Sequence, residues 1–434
     1  MPKPIRLPSS LDRVAIVGGA RTPFAKRGTT YRNLTALEMG MMATRGVVDQ
    51  VGLSPKDLDA VVFGQVIPSP KMPNIAREIV LGLDLPRSVD AHSVSRACAT
   101  STQAVATAAM MIQTGQAEVV IAGGSESMSD VPITVKRALA EALTEASGSK
   151  KPLDKIRAFS HLAPSDLVPE APAIAEYSTG LTMGQSAEKM AQENGITREA
   201  QDEFAHRSHQ QAAQAYEEGR FRGEVIRAFV PPGYDAYDQD NLIRFDSELS
   251  KYRQLPPVFD REWGSVTAAN SSPLTDGASA VVLMRSDVAR ALGHQAWAYI
   301  KSFAFAALDP SEQLLMGPAY AGPRAMDAAG VAMKDLDIID FHEAFAAQIL
   351  SNLQAYGSRR FAEEKLGRSQ AVGEIPMDKF NIYGGSIALG HPFAATGTRQ
   401  LTTVARELDR RGGGLGLVAQ CAAGGLGAAV VLER

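Results

Sequence analysis

One repeated stretch constrains this chain more than any other feature. Gly52-Leu53-Ser54-Pro55-Lys56-Asp57-Leu58-Asp59-Ala60-Val61-Val62-Phe63 returns as Gly330-Val331-Ala332-Met333-Lys334-Asp335-Leu336-Asp337-Ile338-Ile339-Asp340-Phe341, at a constant offset of 278 (330 − 52 = 341 − 63). Asp49 and Asp327 obey the same offset. Each copy places a helix-stopping glycine, a Lys-Asp-Leu-Asp turn and a short apolar run in sequence. The economical architecture is two similar βαβ halves, with an insertion inside the first.

Reading in order supports that frame. Val14–Val17, Ala60–Phe63, Val89–Val94 and Val119–Gly124 read as buried strands, with helices at Leu34–Val51 and after Cys98. Alternation of strand and helix predicts parallel βαβ units and an α/β fold. Gly18-Gly19 carries neither GxGxxG nor GxxxxGK[ST], so a nucleotide-binding loop is rejected. From Ser125 to Arg253 charge and proline increase, with helical segments at Met183–Asn194 and Thr197–Gly219. Strands return at Ala280–Met284 and Ala298–Ile300. The small-residue helix after Cys98 has a counterpart in Ala394–Arg411, followed by Gly416–Ala419. The expected organisation is an N-terminal half (1–125), an inserted, mainly helical loop domain (126–253), completion of the first half (254–293), and a C-terminal half (294–434).

Charge and thiols narrow the function. A net charge of −4 gives no reason to expect nucleic-acid binding. Two cysteines, Cys98 and Cys421, support neither a disulfide framework nor structural zinc; they fit a reducing compartment, and a cytoplasmic location is expected. The N-terminus shows no apolar signal region, and the uncharged stretch from Ala97 to Ala117 reads as a buried helix rather than a membrane span. Within the insertion, Lys136, Arg137, Lys150, Lys151, Lys155 and Arg157 flank Leu139, Leu143, Ile156 and Phe159. This reads first as a solvated amphipathic face, and second as a contact for a partner or membrane surface.

Cys98 falls where a strand gives way to a helix, a place where backbone N–H groups and the helix dipole favour the nucleophilic thiolate. His391, in Gly390-His391-Pro392, lies at the corresponding junction of the second half, so pseudo-symmetry is expected to bring it near Cys98. Cys421 follows the last buried strand and precedes Gly424-Gly425. Each residue alone reads as structural; the three together point to a site.

Several motifs in fixed order then resemble one family. They are Cys98 before a small-residue helix, Met183-Gly184-Gln185-Ser186-Ala187-Glu188, Asn270 to Ala278, His342-Glu343-Ala344-Phe345, Gly390-His391-Pro392, and Cys421 with its glycines. Along essentially its whole length the chain resembles a thiolase, which implies a duplicated βαβ core in five layers (α-β-α-β-α). The commonest thiolases have Asn at the place of His342 and three glycines at Ala423-Gly424-Gly425. Both departures resemble the thiolase subunits of fatty-acid β-oxidation trifunctional complexes.

The resemblance implies an acyltransferase. His391 takes the proton of Cys98, Cys98 attacks a 3-ketoacyl-CoA, and Cys421 protonates the departing acetyl-CoA carbanion. One oxyanion hole would use His391 and His342, the other the backbone N–H groups of Cys98 and Ala423. Ser272 matches a contact to the pantetheine arm of CoA. Lys189, Arg207, Lys251 and Arg253 are candidates for CoA phosphates. No metal or cofactor is expected, CoA being a substrate. A homodimer or dimer of dimers is implied, together with an associated hydratase/3-hydroxyacyl-CoA dehydrogenase subunit. The rival within the same chemistry is an acetoacetyl-CoA thiolase. A ketoacyl-synthase-type condensing enzyme would have His at Cys421, and a non-catalytic CoA or lipid carrier would have lost these groups.

Overall fold

The computed structural model describes residues 5–6, 13–170 and 175–434. The first half runs β1 (Val14–Arg21), α1 (Ala36–Val51), β2 (Ala60–Gly64), α2 (Ile75–Gly82), β3 (Asp90–Val94), α3 (Thr100–Gln113) and β4 (Val119–Glu126). The insertion contains α4 (Arg137–Gly148), α5 (Pro152–Arg157), α6 (Met183–Glu193) and α7 (Arg198–Glu217), and β5 (Thr275–Arg285) completes the half. The second half runs β6 (Ala298–Ala307), α8 (Gly317–Ala329), β7 (Ile338–Phe341), α9 (Ala346–Gly357), α10 (Thr396–Arg411), β8 (Leu415–Ala422) and β9 (Leu426–Glu433).

The duplication is explicit in the sheet. Outward from β1 the first half is ordered β1-β5-β4-β2-β3; outward from β6 the second is ordered β6-β9-β8-β7. A parallel bridge from Ile339 to Phe380 stands where β3 stands in the first half. Among the described residues the halves are joined by the register pairs Ile16 with Ala298 and Ala15 with Tyr299, and by Ile5 with Phe303 and Arg6 with Ser302.

The 278-residue offset acts at the level of single bonds. Gly52 and Gly330 both end their helices in the left-handed region, at φ 66° and 70°, and their N–H groups reach back to the carbonyls of Asp49 and Asp327. The Asp59 carboxylate accepts the N–H groups of Glu118 and Val119, and that of Asp337 accepts the N–H of Leu415. In each half this aspartate ties the entry of one strand to its neighbour.

The expected parallel βαβ units are present, within a sheet of mixed direction. Among the described strands β2–β3, β2–β4 and β7–β8 pair in parallel. β5 is antiparallel to both β1 and β4, and β9 is antiparallel to both β6 and β8. Apolar runs buried on both faces report burial, not direction.

Alternating side chains divide the core. Val14 and Ile16 of β1 join α3 and α10 in a central cluster, whereas Ala15 and Val17 join α1 and α2 on the outer face. A third cluster covers the outer face of the second half with α8 and α9, and α6 adds Ala187, Met190 and Ala191 to it. The five layers are therefore α1/α2, sheet, α3/α10, sheet and α8/α9. By contrast α4 and its neighbour α5 bury little, only Ala142 within the two helices themselves. No helix of the described residues is long and apolar enough to cross a membrane.

Candidate active site

The two central helices start close together, and the turns before them carry the chemistry. Ahead of α3, Ala97 takes φ 45°, in the left-handed region that a β-carbon disfavours. Thr100 staples this turn: its hydroxyl accepts the Arg96 N–H at 2.8 Å and donates to the Ala97 carbonyl at 2.7 Å. The strained turn presents Cys98 rather than burying it in the helix.

His391 is set by a second turn. Gly390 lies at φ 100°, and a β-carbon there would stand 2.5 Å from Leu242 and 2.8 Å from a Thr275 methyl, so only glycine fits. The His391 N–H donates to Thr275 Oγ1 at 3.0 Å. His342 follows β7, its N–H donating to the Ala419 carbonyl of β8. The two imidazoles lie with ring centroids 3.9 Å apart and planes inclined by 39°.

One sulfur or nitrogen atom from each of Cys98, His342 and His391 lies within 4.8 Å of the others. Each imidazole is held at Nδ1 by a hydroxyl, Ser386 at 2.8 Å for His342 and Thr396 at 2.6 Å for His391. Both Nε2 atoms are buried without a partner. A buried polar atom left open in this way is costly unless something else uses it. Cys421, near the end of β8, is fully buried and close enough that a charge on Cys98 acts on its thiol.

Burial dominates the electrostatics. It lowers His391 to about 3, with the Arg399 guanidinium acting in the same direction. His342 is lowered well below the ordinary imidazole range by burial, then by His391 and Arg399. Both rings are neutral at pH 7. The Cys98 thiol is pushed up to about 12 by desolvation, although the N–H groups of Ala423 and Cys98 favour its thiolate. The expectation that the helix start makes Cys98 a resting thiolate is therefore corrected. α3 begins two residues later, at Thr100, and desolvation outweighs two N–H groups. Burial raises the Cys421 thiol well above its ordinary value as well.

Other expected contacts sort clearly. Ser272 donates its N–H to the Ala344 carbonyl, and a bridge joins Leu274 to His391, so this stretch borders the site. Ala423 presents its N–H to the Cys98 thiol. Lys189 is engaged by the carbonyls of Ser311 and Glu312, and Arg207 by those of Met377 and Phe380. Lys251 pairs with Asp246 and Glu248, and Arg253 stays exposed. Lys189 and Arg207 thus also hold the fold together through these carbonyls.

Several residues of the site escape sequence reasoning. Ser386, Thr396 and Arg399 act on the histidines. Glu176, from the insertion, accepts the Gly424 N–H at 2.6 Å and bears electrostatically on Cys98. Glu126 accepts the N–H groups of Val66 and Ile67, and burial raises its carboxyl to about 7. Thr396 sits five residues after His391, a spacing that a helix-start reading of this turn contains.

Comparison with known proteins agrees with this geometry. Residues 14–287 match the thiolase N-terminal domain and residues 294–434 the thiolase C-terminal domain, so the chain belongs to the thiolase family. It is 54% identical to a 3-ketoacyl-CoA thiolase of Serratia proteamaculans over 422 residues, 97% of each chain. It is 53% identical to one of Yersinia enterocolitica over 434 residues, 100% of each. Among solved structures, the acetyl-CoA acetyltransferase of Bacillus anthracis superposes with a TM-score of 0.84 at 29% identity, covering 98% of this chain and 100% of that one. Human mitochondrial 3-ketoacyl-CoA thiolase in complex with CoA gives 0.82 at 28% identity, covering 98% of each.

Proposed function

We propose that Cys98, His391, Cys421 and His342 carry out the 3-ketoacyl-CoA thiolase reaction of fatty-acid β-oxidation. The chain is an acyltransferase that cleaves 3-ketoacyl-CoA with CoA, giving acetyl-CoA and a shortened acyl-CoA. The observation that carries the residue assignment is the convergence of Cys98 with two neutral imidazoles whose Nε2 atoms are open.

The site rests as a thiol beside a neutral base. As Cys98 attacks the 3-keto carbon, its proton passes to His391 Nε2, and negative charge builds on the keto oxygen, for which His342 is the nearby neutral donor. Breaking the Cα–Cβ bond releases the acetyl-CoA carbanion, and Cys421 protonates it; a buried thiol held above its ordinary range is protonated and ready. The acyl group stays on Cys98, its carbonyl facing the N–H groups of Cys98 and Ala423. Cys421, now the thiolate, takes the proton of incoming CoA, whose sulfur attacks the acyl carbonyl; Cys98 leaves as the thiolate and takes its proton back from His391 Nε2. Ser272 borders the cleft where the pantetheine arm would lie. These side chains supply nucleophile, base and acid, so CoA is read as a substrate and no resident cofactor is invoked.

Mass spectrometry of the protein after incubation with a medium-chain 3-ketoacyl-CoA tests the assignment. An acyl adduct confined to Cys98 is expected. Full turnover by Cys98→Ala would sink it, and activity confined to acetoacetyl-CoA would favour the short-chain rival.

For assembly we propose a homodimer, because β3 ends its sheet with one edge unpaired among the described residues. Light scattering after gel filtration reads that directly. Leu143, Leu153, Ile156 and Phe159 of the basic α4–α5 segment are exposed. They support a docking surface for a hydratase/3-hydroxyacyl-CoA dehydrogenase subunit, which native co-purification tests. The two free thiols fit the cytoplasm.

A further inference from the structure

We infer that Thr396 and Ser386 fix opposite tautomers on the two adjoining imidazoles, making His391 Nε2 a proton acceptor and His342 Nε2 a proton donor. The inference rests on the thiolase reading only for the use made of these two atoms.

Many hydrolytic sites fix a histidine tautomer with a carboxylate, which can only accept. Here neither ring has a carboxylate among its hydrogen-bond partners; each Nδ1 meets a hydroxyl. A hydroxyl either donates or accepts, so its own surroundings decide which it does.

For Thr396 the decision comes from Pro392. Thr396 Oγ1 lies 2.6 Å from His391 Nδ1 and 3.2 Å from the Pro392 carbonyl, which can only accept. With the hydroxyl proton given to Pro392, both contacts are hydrogen bonds, provided that Nδ1 carries a proton and donates to Oγ1. The reverse arrangement loses the Pro392 bond. His391 then presents a lone pair at Nε2, the ring nitrogen left without a partner.

For Ser386 the decision comes from the lack of a second partner. Its Oγ makes no other hydrogen bond among the described residues, so its proton goes to His342 Nδ1 at 2.8 Å. Reversing that bond would leave a buried hydroxyl proton unused. Ser386 is itself held in place. The Ile387 N–H donates to Glu343, and Glu343 also receives Asn381 Nδ2 and Ser208 Oγ, each at 2.7 Å. His342 therefore carries its proton on Nε2, which like Nε2 of the adjoining His391 ring is buried without a partner.

Hydroxyls have a further consequence. They orient the rings without adding charge, so neither imidazole is drawn toward the cation by its tautomer-fixing partner. One base and one donor side by side match a step in which a thiol loses a proton while a carbonyl oxygen gains charge.

Neutron diffraction from crystals of the unliganded protein in heavy water reads the tautomers without any substrate. Deuterium is expected on His391 Nδ1, whether or not Nε2 has also taken one from Cys98, and on His342 Nε2. Deuterium on His391 Nε2 alone, or on His342 Nδ1 alone, overturns the inference even if the protein is an active thiolase. Kinetics give a second reading. Thr396→Val should slow both thiolysis and iodoacetamide alkylation of Cys98 by about tenfold or more, with KM little changed, and Thr396→Ser should restore both. Ser386→Ala should slow thiolysis but leave alkylation unchanged, because His342 does not take the thiol proton. Equal loss of alkylation in Thr396→Val and Ser386→Ala, or failure of Thr396→Ser to recover, would point to a structural role alone.

Discussion

Thr100 and Thr396 occupy the same place in the two halves, each the first residue of a central helix and 296 residues apart. The same spacing relates Val119 at the start of β4 to Leu415 at the start of β8 (415 − 119 = 296). Yet the two hydroxyls do different work. Thr100 binds the strained turn before Cys98, while Thr396 binds the ring of His391. Two equivalent helix starts thus lie close together, and divergence at a few positions leaves Cys98 before one and His391 before the other, the proposed nucleophile and base. Cys98 itself has Ala394 as its counterpart (98 + 296), so only one of the two turns carries a thiol.

In the proposed mechanism Cys421 belongs to the carbon–carbon step and not to acylation by a simple thioester. Cys421→Ala is expected to accept an acyl group on Cys98 from a saturated acyl-CoA, detected by intact mass, while cleavage of a 3-ketoacyl-CoA falls by at least about a hundredfold. Loss of both activities together would show that Cys421 supports Cys98 rather than serving as a separate acid.

The resting thiol should be visible in its pH dependence. Desolvation raises Cys98 to about 12 in the folded protein, so the thiolate fraction grows with pH throughout the range below that value. Alkylation of the free protein by iodoacetamide should accelerate steadily between pH 7 and pH 10, by about tenfold per unit where thiolate limits the rate. A plateau near neutrality would mean a preformed thiolate–imidazolium pair and would contradict the resting state described above.

His342 should be felt in turnover more than in binding. Its Nε2 is buried and unpaired, and in the proposed mechanism the charge developing on the substrate gives it a partner. His342→Ala is expected to lower kcat by about 10²- to 10³-fold with KM little changed. His342→Asn, which keeps a neutral N–H donor, should recover part of that loss. A large rise in KM at constant kcat would assign His342 to substrate binding instead.

Much of this was readable from residues in order, and the remainder has physical reasons for being hidden. The offset between Gly52 and Gly330 is local, because a glycine C-cap and a Lys-Asp-Leu-Asp turn are fixed by near neighbours. Cys98, His391 and His342 were legible because each stands in a short motif beside a strand end. The antiparallel course of β5 and β9 was not, since Ala280–Met284 is buried on both faces whichever way it runs. The pairing of Ser386 with His342 spans 44 residues and leaves no periodic trace. The carbonyl partners of Lys189 and Arg207 were hidden too, because each is more than 100 residues away in the chain. The height of the Cys98 thiol was missed because helix position speaks for stabilising N–H groups, whereas desolvation depends on everything packed around them.

The closeness of α3 and α10 is what makes the two halves one site, and Gly397 tests it. A β-carbon at Gly397 would run into the Thr102 hydroxyl and stand 2.7 Å from the Thr102 backbone nitrogen. Beside it the Thr398 N–H donates to Ser101 Oγ at 3.0 Å, so the helices are fastened where the added carbon would force them apart. In an isolated helix Gly→Ala is favourable, by up to about 1 kcal/mol. Overpacking against backbone in a dense core costs about 1–3 kcal/mol and here outweighs that gain. Gly397→Ala should therefore lower the urea midpoint, and it should also reduce kcat, because Thr396 and the His391 ring move with the start of α10. Gly148→Ala at the end of α4, where nothing lies within 4 Å of the added carbon, is the control and should be neutral or slightly stabilising. If both variants unfold at the same urea concentration as the parent, the helices are not held together in the way these contacts require.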